Sequence, residues 1–286
     1  MKKKNFLSVF SLLISLLSLA QETDSGRYTA HNKGKFYVYW GGNRETFSNS
    51  DITFKGNDYN FTIQDVPAHD KPKGWHIDYI NPLRMTIPQT NFRLGYFIND
   101  HYNVSLGLDH MKYVMYQDKI VNYTGTYPNR GTYGENVNEL GQPLNSNQIN
   151  LTEDFLTFEH TDGLNYINAE ISRVDDLTKY IIPTLNTDKI QLNLTEGIGA
   201  GVLLPKTNTK LFNKERYDEF HLAGYGLAAK AGLNLTFLKH FFVQGELKGG
   251  YINMPDIRTS YDSSDRASQH FWFLQRIIAF GVIYKL

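Results

Sequence analysis

The chain ends in IAFGVIYKL, residues 278–286, and this stretch decides the fold. Successive side chains of a β-strand point to opposite faces, and only one charged residue, Lys285, interrupts the run. One face of the predicted strand carries Ile278, Phe280, Val282, Tyr284 and Leu286. An apolar strand of about 9 to 11 residues is typical of one that crosses a membrane within a closed β-barrel.

The same alternation recurs along the chain and predicts eight strands. In the clearest run, Val243 and Leu247 share one face while Glu246 and Lys248 share the other, which is the period of a strand with one apolar side. In the first strand both faces are aromatic, so its inner face stays unassigned. The predicted strands are 35–47, 89–98, 102–115, 164–173, 187–204, 220–237, 240–253 and 269–286.

The connections between these strands alternate in length. Long polar connections are expected at 48–88, 116–163, 205–219 and 254–268, and short ones at 99–101, 174–186 and 238–239. Short turns at one end and long loops at the other are typical of an all-β, transmembrane, antiparallel up-and-down barrel.

Two alternatives to this architecture are open. A soluble β-sandwich shows similar alternation, although the apolar faces and the last strand favour the barrel. A hairpin formed by Asp58–Gln64 and Trp75–Ile80 would raise the count to ten strands if it entered the bilayer.

Composition removes several classes of function. The mean hydropathy of −0.42 excludes a bundle of membrane helices. The 286 residues contain no cysteine, so disulfides, thiolate metal sites, cysteine nucleophiles and a lipidated N-terminal cysteine are excluded. The 29 basic residues balance the 29 acidic ones, so no nucleic-acid partner is expected.

The N-terminus predicts export. Lys2, Lys3 and Lys4 precede an apolar stretch that ends with small residues at Ser18 and Ala20. This pattern predicts a signal peptide over residues 1–20, cleaved near Ala20, and a barrel domain over 21–286.

The strand assignment directs six charged side chains into the lumen. We interpret them as an ion-pair network that plugs the barrel, because an unpaired buried charge is costly, with a proton or ion path as the alternative. The residues are Arg93, Asp109, Glu170, Lys230, Glu246 and Lys248. Alternation also places Glu196 on the lipid face, so a β-bulge at 195–197 is expected to turn it inward.

On the export signal, the strand pattern and the segment 280–286, the chain resembles the small outer-membrane barrels of the OmpA transmembrane-domain, OmpX and OmpW kind. The resemblance implies location in the outer membrane of a Gram-negative bacterium, in contact with its lipid and lipopolysaccharide. It does not select a function, since related barrels serve as anchors, adhesins, conduits and lipid-modifying enzymes.

One stretch suggests chemistry. Residues 158–165 are similar to the His-x-Ser-Asn stretch of outer-membrane lipid A 3-O-deacylases, in which a hydroxyl attacks an acyl ester with an imidazole as base. Here His160 would be the base, but Thr161 replaces the serine and Asp162 the asparagine. The alternative is a simple turn at Asp162 and Gly163.

No metal or cofactor is predicted. His69 with Asp70, and His76 with Asp78, contain ligand types, but their spacing matches no rigid motif. The leading hypothesis is a non-enzymatic barrel with a plugged lumen that serves envelope integrity or surface interaction, with a glycan or another envelope protein as partner at the long loops. An outer-membrane acyl hydrolase and a narrow conduit for small hydrophobic molecules are the alternatives.

Overall fold

Antiparallel strands dominate the computed structural model, which describes residues 31–74, 76, 78, 88–216 and 219–285. The predicted signal peptide and its cleavage site lie outside these ranges. The strands are β1 (Lys35–Phe47), β2 (Ser50–Lys55), β3 (Asn60–Val66), β4 (Ala68–His69), β5 (Thr90–Phe97), β6 (Tyr102–Met115), β7 (Ile120–Thr126), β8 (Gln148–Asn150), β9 (Leu156–Asp176), β10 (Ile190–Leu203), β11 (Asn208–Leu211), β12 (Lys214–Arg216), β13 (Gly224–Phe237), β14 (Phe241–Arg258) and β15 (Arg266–Lys285).

The helical content is small. One helical turn, α1 (Thr178–Ile181), lies between β9 and β10. Within the ranges that the structure describes, no helix is long and apolar enough to cross a bilayer.

Eight strands form a closed ring in the order β1, β5, β6, β9, β10, β13, β14, β15, and β15 pairs back with β1. Every neighbouring pair is antiparallel. The predicted eight-strand barrel is therefore confirmed. The ten-strand alternative is wrong, because β2 and β3 pair with the end of β15 and with each other outside the ring.

The register fixes the shape of the barrel. Starting from Phe36 on β1, we can trace the register partner on each successive strand around the ring. The trace returns to β1 at Thr46, which is ten residues away from Phe36. With ordinary strand spacing and rise, that shift over eight strands tilts them by about 40° from the barrel axis. Such a barrel is narrow enough for side chains to fill.

An apolar surface, here called the belt, covers the outside of the ring. Leu106 and Phe280 are 69% and 63% exposed. Paired aromatic rings border the belt toward the short turns, at Phe36–Tyr96 and Phe237–Phe241, and toward the other end, at Trp40–Phe92 and Tyr251–Trp272. Aromatic rings at both edges of an apolar band are the surface that a membrane barrel presents to lipid.

The expected bulge at Glu196 is wrong. Strand β10 keeps an unbroken register with both β9 and β13, which leaves no extra residue to turn the side chain inward. Glu196 stays on the outer face with Ile198, and its register partner on β9 is Arg173. Arg173 stacks on Tyr102 beside the short turns, where the lipid cost of a carboxylate is lower than at the midplane.

The described parts of the long connections contain further strands. The strands β2, β3, β7 and β8 continue the sheet from β15, and the hairpin of β11 and β12 pairs with β9. We call these strands, with the connections 127–147 and 151–155 and the adjoining ends of β6, β9, β14 and β15, the cap. It has its own apolar core, which includes Phe54, Phe61, Tyr113, Phe155 and Phe158.

The predicted hairpin in the first long connection is also wrong in its pairing. Residues of β3 pair with β2 on one side and with β7 on the other. A tight turn, in which the Gly56 amide donates to the Tyr59 carbonyl, joins β2 directly to β3. Of the proposed partner segment 75–80, only residues 76 and 78 lie within the described part of the chain.

Candidate functional site

The lumen holds the six charged side chains that the alternation directs inward, and we call them the lumen network. They project from five of the eight ring strands, β5, β6, β9, β13 and β14. None is more than 4% exposed: Arg93, Asp109, Glu170, Lys230, Glu246 and Lys248. The network therefore lies inside the barrel wall and away from bulk water.

Glu170 is the centre of the network. Its Oε1 lies 2.8 Å from Arg93 Nη2 and 2.6 Å from Lys248 Nζ, and its Oε2 lies 2.7 Å from Lys230 Nζ. One carboxylate from β9 thus binds cations from three other strands. Short charge-assisted contacts of this kind are stronger than neutral hydrogen bonds.

Asp109 and Glu246 complete the charge balance. Lys248 Nζ lies 2.5 Å from Asp109 Oδ2, and Lys230 Nζ lies 3.0 Å from Glu246 Oε2. Three cations therefore face three carboxylates with no net charge. Burial of charges is tolerable when each has a close partner of opposite sign.

Neutral side chains extend the network. Arg93 donates to the Tyr39 hydroxyl and to Asn168 Oδ1, at 3.0 and 2.8 Å. Asn91 and Asn168 donate to the two oxygens of Asp109, at 2.7 and 2.9 Å. The same alternation that directs the charged residues inward also places these asparagines on the inner face.

A further carboxyl group, that of Glu45, lies between the network and the cap. Gln275 donates to Glu45 Oε1 at 2.9 Å, and the Gln89 amide donates to both Glu45 and Asp70. This layer was missed because the inner face of the first strand was unassigned. The structure places Tyr37, Tyr39 and Glu45, alternate residues of β1, inside the barrel.

The apolar core of the cap begins directly above these layers. The Lys248 ammonium lies 5.7 Å from the centre of the Tyr166 ring, which in turn packs against Phe273. Both rings belong to the cap core. From the lumen network toward the cap, the inward side chains are thus charged pairs, then amides and carboxyls, then apolar side chains.

The candidate catalytic residues do not converge. His160 Nδ1 lies 2.9 Å from Thr207 Oγ1, whereas Thr161 donates to Glu159 Oε1 and Asp162 accepts a hydrogen bond from Asn208. Adjacent residues of a strand point to opposite faces, so the imidazole and the Thr161 hydroxyl separate. The likeness to the deacylase stretch does not extend to its geometry.

His160 is instead part of the cap core. Its ring packs against Phe158 and Tyr113 with centroid distances of 5.0 and 5.5 Å. Burial among these rings lowers the pKa of His160 to about 4, because the charged form loses its hydration. The side chain is therefore neutral at pH 7.

The histidines of the first long connection contact residues that are close to them in the sequence. His69 Nδ1 lies 2.7 Å from the Asp70 carbonyl oxygen, and His76 Nδ1 lies 3.0 Å from Asp78 Oδ2. Asp78 also pairs with Lys73. Across the described ranges, no group of three or more His, Asp or Glu side chains is placed to hold a metal ion.

Comparisons with known proteins concern the fold. No family model matches the chain, and no curated protein matches it. Similar solved structures include the outer membrane protein OprG from Pseudomonas aeruginosa, 12% identical, with 90% of this chain and 98% of that chain covered and a TM-score of 0.36. Ail, the attachment invasion locus protein of Yersinia pestis, is 12% identical, with 86% and 99% covered and a TM-score of 0.29.

The outer membrane protease OmpT from Escherichia coli is 9% identical, with 92% and 100% covered and a TM-score of 0.32. At such identities the likeness is one of strand arrangement alone. The predicted resemblance to small outer-membrane barrels is confirmed at the level of architecture, because the eight strands form a closed ring and the belt covers its outside.

The central role of Glu170 predicts unequal effects of two matched substitutions. Glu170→Gln removes the charge that binds three cations and leaves excess positive charge buried, so it should lower the free energy of unfolding by about 3–5 kcal/mol. Glu246→Gln loses one cation contact and should cost less than half as much. Urea unfolding in lipid vesicles measures both, and equal losses would contradict the central position of Glu170.

The lowered pKa of His160 predicts that acid weakens the cap. Between pH 6.5 and about 4 the unfolded chain binds a proton at this residue and the folded cap does not, so stability falls as pH falls through that window, by roughly 3 kcal/mol at most. Amide exchange of residues 156–160, corrected for its intrinsic pH dependence, measures the effect. His160→Gln should flatten the slope, and an unchanged slope would show that other groups cause it.

Proposed function

We propose that this protein is a non-conducting β-barrel of the outer membrane of a Gram-negative bacterium, which holds the cap at the cell surface for interaction or envelope integrity. The observation that carries this proposal is the continuous filling of the lumen from the lumen network to the cap core. The belt supports a position in lipid. The predicted signal peptide, cleaved near Ala20, belongs to the same proposal.

The pairing of the lumen network argues for a plug against an ion path. A path needs charged groups that water and ions can reach in sequence. Here each of the six charged groups contacts an opposite charge within about 3 Å, and the cap core covers one end with apolar side chains. An ion would have to displace buried pairs and then cross an apolar layer, and both steps are costly.

The cap is built as a pre-formed surface. In its longest connection, Arg130 donates to the carbonyl oxygens of Asn145, Ser146 and Gln148. The carboxylate of Glu135 accepts hydrogen bonds from the amides of Gly131 and Tyr133. A surface that is already ordered loses less entropy on binding, so this design favours recognition of a partner such as a glycan or another envelope protein.

The geometry does not favour the other two functions. A hydrolase needs the His160 imidazole beside a nucleophile that a substrate can reach, and this ring is buried against Thr207. A lateral conduit for apolar molecules needs a gap between ring strands. The described ring strands are hydrogen-bonded to both neighbours around the whole circuit.

The plug predicts a closed barrel in electrical recordings. Refolded protein in planar bilayers should show no steady open level, since the lumen network fills the narrow interior. Heat-modifiable migration on a gel verifies that the sample is folded and inserted. A stable, large conductance in folded protein would refute the plug.

The position of the cap predicts which residues are reached from outside the cell. The chain has no cysteine, so Leu140→Cys in the cap and Ile181→Cys in α1, at residues 83% and 61% exposed, provide single labelling sites at opposite ends. A membrane-impermeant maleimide should label only the Leu140→Cys protein on intact cells, and both after lysis. Labelling of Ile181→Cys alone on intact cells would show that the barrel has the opposite orientation. Labelling of neither protein would contradict the location of the cap at the cell surface.

A further inference from the structure

The barrel interior contains a cavity that is separate from the lumen network. A cavity of about 140 Å³, here called the turn-end cavity, lies between the lumen network and the short turns. Lys230 lines it on the side of the network, and Asp188 and Lys239 line it at the turns. At about 30 Å³ per water molecule, that volume holds on the order of five waters, so a solute of monosaccharide size would fill it and extend into its mouth at the short turns.

The two walls of the turn-end cavity differ in chemistry. One wall is aromatic: Tyr37 packs against Phe97 and Phe242 with centroid distances of 5.8 and 6.5 Å, and Tyr39 packs against Phe242 at 6.4 Å. The other wall, from β9, β10 and β13, carries hydroxyl and amide groups, including Ser172, Gln191, Thr195 and Asn234. An apolar face opposite a few polar groups is the usual construction of a small-molecule site.

Three polar groups on this wall have no protein partner. Ser172 Oγ, Gln191 Nε2 and Thr195 Oγ1 are buried and make no hydrogen bond with the described residues. These side chains are only 4–5% exposed. A buried polar group without a partner costs about 1–3 kcal/mol, so these three groups along one cavity can each bind the hydroxyl of a ligand or a water molecule.

Other amide groups of the polar wall do have hydrogen-bond partners. Asn193 donates to Asn234 at 3.2 Å, and Asn234 donates to Gln244 at 3.1 Å. These bonds hold the amides in place beside the three unpartnered groups. The wall is therefore fixed in position, and only part of its hydrogen-bonding capacity is used.

Two of the lysines that line the cavity are already paired with carboxylates. Lys230 is held by Glu170 and Glu246 at 2.7 and 3.0 Å, and at the mouth Lys239 pairs with Asp188 at 2.9 Å. A charged ligand would therefore find no free counter-charge at these positions. Hydroxyl groups, which both donate and accept, match the unpartnered serine, threonine and amide.

We propose that the turn-end cavity binds a neutral, polyhydroxylated small molecule of monosaccharide size, which enters from the side of the short turns. The aromatic wall would contact its C–H face, and Ser172, Gln191 and Thr195 would bind its hydroxyls. This proposal does not depend on the surface role of the cap.

The test uses D-glucose as the probe and the refolded full chain in a zwitterionic detergent without sugar head groups. Saturation-transfer NMR should detect glucose, and it should not detect gluconate, which is similar in size but charged. Gln191→Leu combined with Thr195→Val should weaken glucose binding at least about tenfold, which corresponds to 1.4 kcal/mol. The control Gln142→Leu, at an exposed residue of the cap, should leave binding unchanged.

A second measurement covers the case in which the double variant does not fold. Ser172→Cys is close to isosteric and introduces the only thiol of the chain into the cavity. Glucose should slow its modification by a small thiol reagent. If the wild type gives no transfer signal and glucose gives no protection, or if the folded double variant binds glucose as well as the wild type, the cavity is a water-filled space and the proposal is wrong.

Discussion

Closure of the sheet is the constraint on which the rest of this structure depends. Backbone amides and carbonyls have no water partner in lipid, so each must bond to a neighbouring strand, and only a closed ring leaves no edge. Eight strands with a shift of ten residues satisfy this condition. The same closure produces a narrow interior and gives every strand one face for lipid and one for the lumen.

A narrow interior limits how the inward side chains can be stabilised. Charged residues at these positions cannot keep their water, and they are stable only when opposite charges reach across the lumen. Glu170 does this for Arg93, Lys230 and Lys248, which come from three different strands. The ion pairs therefore tie together strands that are not adjacent in the ring, as well as filling the space between them.

The sequence predicted the ring well and the cap poorly, for a physical reason. A strand between lipid and lumen must alternate, so all eight ring strands could be recognised, and 35–47 and 102–115 coincide with β1 and β6. Strands such as β2 and β3 are short, and their partners are set by tertiary packing that no local pattern records. His160 shows the same limit: a motif places it beside a hydroxyl in sequence, whereas the strand turns it toward Thr207.

The pairing of the inward polar side chains changes along the barrel axis, and that change explains how the two ends can differ. At the cap the interior has an apolar core, in the middle each charge has a partner of opposite sign, and at the turns three buried polar groups that line a cavity have no partner among the described residues. Apolar packing and ion pairs both resist entry by a polar solute, because each must be broken before anything replaces it. Unpartnered groups favour entry, because a ligand's hydroxyls satisfy them at no such cost. The proposed plug toward the cap and the proposed binding cavity toward the turns are therefore compatible within one barrel.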